Sequence, residues 1–516
     1  MFFFTPLLLL LVVPAFCAAT PPQPAEPPTL ALRLSPRGLA FFSSIGHHIV
    51  EKELPAVRFP PISLPINAGP GSGRVYANHL RIPADHFQSP HFRFSLTPPN
   101  ALQFRSQDGH INVRGLWSAR YYLLNIPFFS SGWVDLLATD IRMLLSMGLV
   151  HSGVHPQLRM FNCTADIGQM DVQIGGGVIP WLVNLFRAEL SETLRETLHD
   201  QLCAILQNNI VSQLNTLLAS FPLLLPIGDG LFVQYAFSQD AQVTGTFLQA
   251  SAFVELSLPD SLAPVPSACP LSAPASLTLT PPATVPMASL WMDRTLLDCL
   301  CRSVHRSRVV QFVIGPSFDG GHFAKFLRTS CAFFQLCIGR FFPILARSHP
   351  DQQLDLRFHS ANVPSVRFMP AEKSLNLTAA LFMDMHIHPW TEHADQVLAR
   401  LEMNISAELE PRLEDGRMGG SLKDGIMVQF AEVNSSIGNF SQKFLDTFDL
   451  LFKPVLEVAL QSVLHVGIPL PTLEGIKMGN ASSLTVLNRE LRVDAELVYA
   501  ADGNVTKAFN DYPFTS

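Results

Sequence analysis

The chain has 516 residues, too many for one ordinary hydrophobic core, and this length predicts two domains of roughly 200–250 residues each. Hydrophobic residues make up 48% and charged residues 15%, against a usual charged share of about 25%, so more apolar surface than usual must be hidden, in a core or against a carried ligand. The net charge of −7 divides into 14 basic and 17 acidic residues up to Asp260, then 21 and 25 beyond it. Neither half concentrates Lys and Arg, which excludes nucleic acid as the main partner and disfavours a strong electrostatic pull toward anionic membranes.

Residues 1–19 read as an export signal: Phe2–Val13 is a nearly continuous apolar run, and Cys17 and Ala19 are small residues suited to cleavage before Thr20, with a cut after Cys17 as the alternative. No later stretch approaches the ~18–20 uninterrupted apolar residues of a membrane span. After a Pro-rich lead, Ser35-Pro36 predicts a helix start, with Leu39, Phe42, Ile45 and Ile49 on one face and an end near Leu54-Pro55. Alternation predicts strands at His110–Trp117 and at Ala165–Ile174, where Met170, Val172 and Ile174 share a face. A long amphipathic helix follows from about Pro180 to Val211, its stripe formed by Leu182, Phe186, Leu190, Leu194, Leu198 and Leu202 and reinforced by Trp181, Leu185 and Ile205.

Eight prolines among Ser, Ala and Thr mark 257–289 as a linker with flanking edge strands. Beyond it, Ala288–Val304 reads as a short helix, strands follow, and Ser441–Leu464 reads as a second long helix, with Phe444, Phe448, Leu451, Val455, Ala459 and Val463 in its stripe and Pro454 inside it. Both halves thus run helix, strands, long helix, and both carry an apolar-Pro phrase, Ile62-Ser63-Leu64-Pro65 and Ile468-Pro469-Leu470-Pro471. The predicted divisions are an export signal (1–19), an N-terminal domain (20–258), a Pro-rich linker and central sheet (259–287) and a C-terminal domain (288–516), in an α+β fold of long helices on twisted antiparallel sheets.

Seven N-x-S/T sequons, at Asn162, Asn376, Asn404, Asn434, Asn439, Asn480 and Asn504, predict N-glycosylation, and all but the first lie beyond residue 370. After the signal the chain keeps Cys163, Cys203, Cys269, Cys299, Cys301, Cys331 and Cys337. An oxidising compartment pairs most of them, and an odd number leaves one free or bonded to another chain. Their spacing fits no zinc pattern, so no metal is expected.

The residues carry no recognisable catalytic constellation. There is no G-x-S-x-G elbow, and Gly69–Arg74 lacks the G-K-[ST] ending of a phosphate loop. Gly175-Gly176-Gly177 reads as a turn, and His386-Ile387-His388 as an exposed strand face rather than a metal site. The chain is therefore expected not to be an enzyme and to use no cofactor.

Several stretches, in this order, carry a resemblance: Arg33-Leu34-Ser35-Pro36-Arg37-Gly38-Leu39, the Leu64-Pro65 phrase, the Ile111–Trp117 strand, Cys163 through Trp181-Leu182-x-x-Leu185-Phe186 and Leu194-Arg195 to Cys203, and Gly467-Ile468-Pro469-Leu470-Pro471. Over nearly its whole length after the signal, the chain resembles the family of bactericidal/permeability-increasing protein, lipopolysaccharide-binding protein, cholesteryl ester transfer protein and phospholipid transfer protein. The resemblance implies a Cys163–Cys203 disulfide and a boomerang of two pseudo-symmetric barrel-like domains joined by a central sheet, each with an apolar pocket for phospholipid acyl chains. Leu39, Phe42, Leu182, Leu185 and Phe186 would wall the first pocket, and Phe444, Phe448 and Leu451 the second. It also implies a secreted, non-catalytic protein that binds or transfers phospholipid, with lipoprotein or membrane surfaces as further partners. The alternative is an innate-immune protein for bacterial lipopolysaccharide. Relatives of that kind carry lysine-rich loops at the N-terminal tip, whereas the loop expected after Trp117 reads Ser118-Ala119-Arg120-Tyr121-Tyr122, with one cation.

Overall fold

The computed structural model describes residues 28–53, 61–66, 70–83, 87–88, 91–176, 206–227, 232–257, 277–306, 310–321, 323–332, 334–472 and 475–499, with residues 59, 188, 191–196, 199 and 202–204. The expected export signal, linker residues 258–276 and Asn504 lie outside them. Strand β1 (Leu30–Leu34) passes through Ser35 into helix α1 (Pro36–Glu53). Ser35 caps it as predicted: its carbonyl accepts the first helical bond, from the Leu39 N–H at 2.9 Å, and its hydroxyl accepts from the Gly38 N–H at 3.3 Å, satisfying a first-turn donor that no helical carbonyl can reach.

Strands β2 (Ile62–Ile66), β3 (Ser72–Arg81), β4 (Phe87–Gln88) and β5 (His91–Thr97) precede three long ones, β6 (Ala101–Leu123), β7 (Ile126–Ser152) and β8 (His155–Gly176). They form an antiparallel sheet in the order β2-β3-β6-β7-β8, with β4 and β5 also paired to β6. Register shifts between Ser106 and Gly109 and between Ser146 and Met147 are bulges that let such long strands curl. Alternation sends Val113, Trp117, Ala119 and Tyr121 inward and Arg114, Leu116, Arg120 and Tyr122 outward. The segment Ser118–Tyr122, expected as a loop, instead continues β6, because it is paired to β3 on one side and β7 on the other.

Residues 191–196 and 202–204 are helical, and a π-helical turn, Leu206–Val211, and helix α2 (Ser212–Ala219) follow, so helical structure reaches further than the predicted end at residue 211. This segment guards the free edge of β8. The Arg195 guanidinium donates to the Ile167 carbonyl at 2.7 Å, Cys203 is bonded to Cys163, and the Asn215 amide donates to the Leu158 carbonyl at 2.9 Å and accepts from its N–H at 2.7 Å. Edge groups left unpaired would template unwanted strand addition.

The chain continues through β9 (Leu224–Pro226), β10 (Phe232–Val243), β11 (Leu248–Ser257), β12 (Ala288–Asp293) and helix α3 (Arg294–Arg306). The expected helix at 288–304 is thus corrected at its start: Ala288–Asp293 is a strand held between neighbours on both sides and mostly buried, which removes the alternation that would have marked it. Next come β13 (Gln311–Ile314), helices α4 (Ile338–Phe341) and α5 (Pro343–Ser348), and strands β14 (Leu354–Ser360), β15 (Ser365–Met369), β16 (Ser374–Ile387), β17 (Ala399–Glu414) and β18 (Arg417–Ser435). Helix α6 (Gln442–Val466) and strands β19 (Ile468–Pro469), β20 (Ile476–Met478), β21 (Ser483–Val486), β22 (Glu490–Ala495) and β23 (Leu497–Tyr499) complete the described chain. The second large sheet runs β13-β14-β16-β17-β18-β19, with β15 on β16.

Between the two lies a sheet drawn from both halves, in the order β21-β22-β12-β1-β11-β10-β9. Its strands reach from one core to the other. On β10, Phe237, Ala241 and Val243 belong to the first core and Val233 and Tyr235 to the second; on β11, Leu248 faces the first and Val254 the second. The result is a two-domain α+β fold of curled antiparallel sheets.

Candidate functional site

The β6–β7 hairpin ends in a two-residue turn, Leu124-Asn125, with φ of 48° and 65°. Positive φ at both central residues is the geometry that suits tight hairpins, and Asn accepts it readily. Leucine does not, because its Cβ crowds the backbone there, yet Leu124 is 87% exposed and buries nothing in return. Strain of this sort persists where something other than folding selects the side chain.

From that turn an apolar surface runs along the outer face of the sheet. Phe129 (58% exposed) and Trp133 (49% exposed) on β7, Leu116 and Tyr122 on β6, and Tyr76 on β3 all face outward, and Ile126 is exposed beside the turn. Residues 121–134, YYLLNIPFFSSGWV, contain no charged or histidine side chain. Trp133 lies across Gly175 of β8, where any Cβ would overlap its ring. On the inner face the Trp117 indole N–H donates to the Gly175 carbonyl at 3.1 Å. The expected turn at Gly175-Gly176 is therefore corrected to the last two residues of β8, kept small so that two tryptophans can clasp the strand end; Gly177 lies outside the described residues.

Arg74 and Arg120 stand opposite each other on β3 and β6, a like-charge pairing that costs stability. The Arg120 guanidinium sits 5.0 Å from the centre of the Phe129 ring. Arg114 is neutralised by Asp135 at 3.1 Å. This end of the sheet is the one remote from the central sheet; the opposite end meets β10, where Phe237 N–H donates to the Val154 carbonyl at 2.9 Å.

The predicted pocket-wall residues occupy two places. Leu39 is buried in the first core, and Phe42 is half-buried, edge-on to Phe41 with centroids 5.5 Å apart. Leu182, Leu185 and Phe186 lie outside the described residues. In the second half Phe444 and Phe448 are fully buried, with centroids 4.6 Å apart, and Leu451 is half-buried beside them. The column continues through Phe452, 5.2 Å from Phe448, and draws in Phe326, Phe358 and Phe430. The expected stripe on α6 is corrected beyond Phe448: Phe452 and Leu456 are its buried members, while Ala459 and Val463 are exposed. Two i,i+4 apolar rows run side by side in that sequence, and packing chooses the row bearing the ring.

Cys163 and Cys203 are joined, as the resemblance implied. Cys331 is bonded to Cys337, and Cys299 is also in a disulfide. Cys301 is free and buried; burial first and Asp298 second push its thiol up to about 11. Asn162, Asn404, Asn434, Asn439 and Asn480 are exposed and Asn376 half-buried. His386, expected on an exposed face, is fully buried, its Nδ1 3.1 Å from the His393 carbonyl, because the turn at 390–392 folds over that part of the sheet. Among the described residues no group of three or more His, Cys, Asp or Glu side chains is arranged to hold a metal ion.

Tyr235 carries no motif that flags it. Its buried hydroxyl donates to the Pro469 carbonyl at 2.7 Å, tying the central sheet to the phrase after α6, and burial raises its pKa.

The N-terminal domain model of the LBP / BPI / CETP family matches residues 38–217, and the C-terminal domain model matches residues 225–499. A bactericidal permeability-increasing protein of Sebastes schlegelii is 23% identical over 480 residues, covering 92% of this chain and 95% of that protein. A lipopolysaccharide-binding protein of Homo sapiens is 23% identical over 471 residues, covering 89% and 92%. The crystal structure of a lipopolysaccharide-binding protein superposes with a TM-score of 0.54 at 19% identity, covering 92% of this chain and all of that one, so the two share a fold. No helix among the described residues is long and apolar enough to cross a membrane.

Proposed function

Since this chain belongs to the LBP / BPI / CETP family, we propose that it is a secreted, non-catalytic lipid-binding protein that holds phospholipid acyl chains in its apolar interior. It meets lipid surfaces with the aromatic end of its first sheet. The observation that carries this reading is the uncharged segment Leu124–Trp133, whose exposed Phe129 and Trp133 share the outer face with Tyr76, Leu116 and Tyr122, around the single pair Arg74 and Arg120. Trp and Tyr favour the boundary between headgroups and hydrocarbon, where an apolar ring can sink while its polar atom stays wet. Each leucine-sized side chain moved from water into lipid contributes roughly 1.5–3 kcal/mol, enough for several such residues to hold a protein at a surface without net charge. An acyl chain contributes ~0.8 kcal/mol per buried CH₂, so two chains drive their own sequestration. No bound cofactor is part of this reading.

A second reading, recognition of lipopolysaccharide, is favoured by one feature: Arg74 and Arg120 side by side, positioned for an anionic headgroup. The two readings separate by salt. Binding through apolar side chains to phosphatidylcholine vesicles should persist at high ionic strength, whereas capture through two exposed arginines is screened. Co-sedimentation with such vesicles should weaken about tenfold or more in Leu124→Asp, a change worth at least ~1.4 kcal/mol, with melting unaltered. Undiminished binding by Leu124→Asp and Trp133→Ala would remove this face from the function.

A further inference from the structure

The outer face of the second sheet holds a groove of about 460 Å³ between β16, β17, β18 and the start of β15 with the residues before it. Its size lies within the roughly 300–1,000 Å³ of small-molecule sites. Its lining includes Val363, Ser365, Thr378, Asn404, Met427 and Gln429, and none of the residues that line it is charged. Met427 is 68% exposed, unusual for a methionine on a solvated face. Hydroxyls and amides interleaved with small apolar patches are the complement of a neutral sugar, which pairs hydroxyl and acetamide groups with apolar C–H faces.

The groove also contains its own attachment point. Asn404 lines it together with Ser406, the hydroxyl residue of the same sequon, and Thr378 from the sequon of Asn376. Register aligns the neighbouring sequons. Asn376 of β16 stands opposite Glu408, and Asn434 of β18 opposite Arg400. Projected on β17, the three asparagines fall at positions 408, 404 and 400. Four-residue steps preserve the face, so they form a diagonal row with spacings of roughly 14 Å.

We propose that an N-linked glycan on Asn404 seats its first sugar in this groove, over Met427 and Val363, as the middle of a row of three glycans across the outer face of the second sheet. The sugar covers side chains that the fold leaves bare and makes this face unavailable for lipid contact. The first sheet carries one described sequon, Asn162, which lies opposite Ser146, some 14 residues along β8 from the Gly176 that faces Gly132, or about 45 Å of strand. The aromatic end is thereby left free of sugar.

The inference rests on the secreted reading, and the two fail differently. Glycopeptide mass spectrometry of the full chain secreted from animal cells should find Asn404 occupied. A chain that stays inside the cells that express it defeats the secreted reading; one that is secreted but bare at Asn404 defeats this inference alone. Asn404→Gln should lower the melting temperature by roughly 2–4 °C, while Asn439→Gln, a change outside the groove, should not. Trimming high-mannose protein back to the first sugar should preserve the wild-type melting temperature. Equal melting of Asn404→Gln and wild type overturns the proposal. Should that variant not be secreted, amide hydrogen exchange at residues 426–429 of wild type decides, before and after complete enzymatic sugar removal: faster exchange supports the seated sugar, and unchanged exchange overturns it.

Discussion

The three principal strands of the first sheet run 22 to 27 residues and enclose a mainly aliphatic core, whereas those of the second run 14 to 19 residues around a column of phenylalanines. Their outer faces diverge as well. The first presents Leu116, Phe129 and Trp133 to solvent, and the second presents Asn404 and Asn434, with the half-buried Asn376 in the same row. Alternation along a strand separates two decisions, what the inner face packs and what the outer face shows. One architecture can therefore assign lipid contact to one half and shielding to the other.

The ring column offers the largest test of this contrast. Phe448→Ala removes a fully buried ring and should destabilise the protein by about 3–5 kcal/mol, while Leu450→Ala, two residues away and 77% exposed, should stay within ~0.5 kcal/mol. Chemical denaturation reads both, and equal losses would mean the helix face is misassigned. In the first half the corresponding brace is covalent. Cys163 and Cys203 are 40 residues apart, and replacing both with Ser should cost roughly 3–4 kcal/mol, with proteolysis beginning along the β8 edge. Intact protection of β8 in the double variant would show that Arg195 and Asn215 suffice.

A smaller effect tests whether the halves are coupled. Tyr235→Phe leaves the Pro469 carbonyl without its buried donor and should cost about 1–3 kcal/mol. Because burial raises the Tyr235 pKa, its contribution is full below the ordinary tyrosine value near 10. It is lost as pH climbs from there through the folded value, since only the unfolded chain ionises freely. The alkaline fall in stability should thus be shallower in Tyr235→Phe, and parallel profiles would contradict the assignment. The smallest expected signal is at Cys301, whose thiol, held at about 11 and buried, should resist alkylation at pH 8 until the second core is opened by denaturant.

Much of this fold is legible in the residues themselves. The Ser35-Pro36 start of α1, the Ser441 cap of α6 and the alternation of Ile111–Trp117 are local signals, and each lies where local physics puts it. The Cys163–Cys203 link followed from resemblance, since spacing alone does not pair cysteines. The readings that needed correction depend on neighbours far along the chain. Ala288–Asp293 looks helical until β1 and β22 flank it, Ser118–Tyr122 looks like a loop until β3 and β7 pair with it, and His386 looks exposed until the turn at 390–392 covers it. The aromatic end was hidden for a related reason. The scarcity of lysine at the tip is plain in the residues, but only the register of β6 and β7 reveals which apolar side chains share the outer face.

Native mass spectrometry of the secreted glycoprotein, never delipidated and followed by lipid extraction, tests the lipid-binding account most directly. The account predicts phospholipid co-purifying with the folded chain, released intact on unfolding and unaltered on prolonged incubation. A chain that carries no lipid, or one that turns bound phospholipid into product, would contradict it.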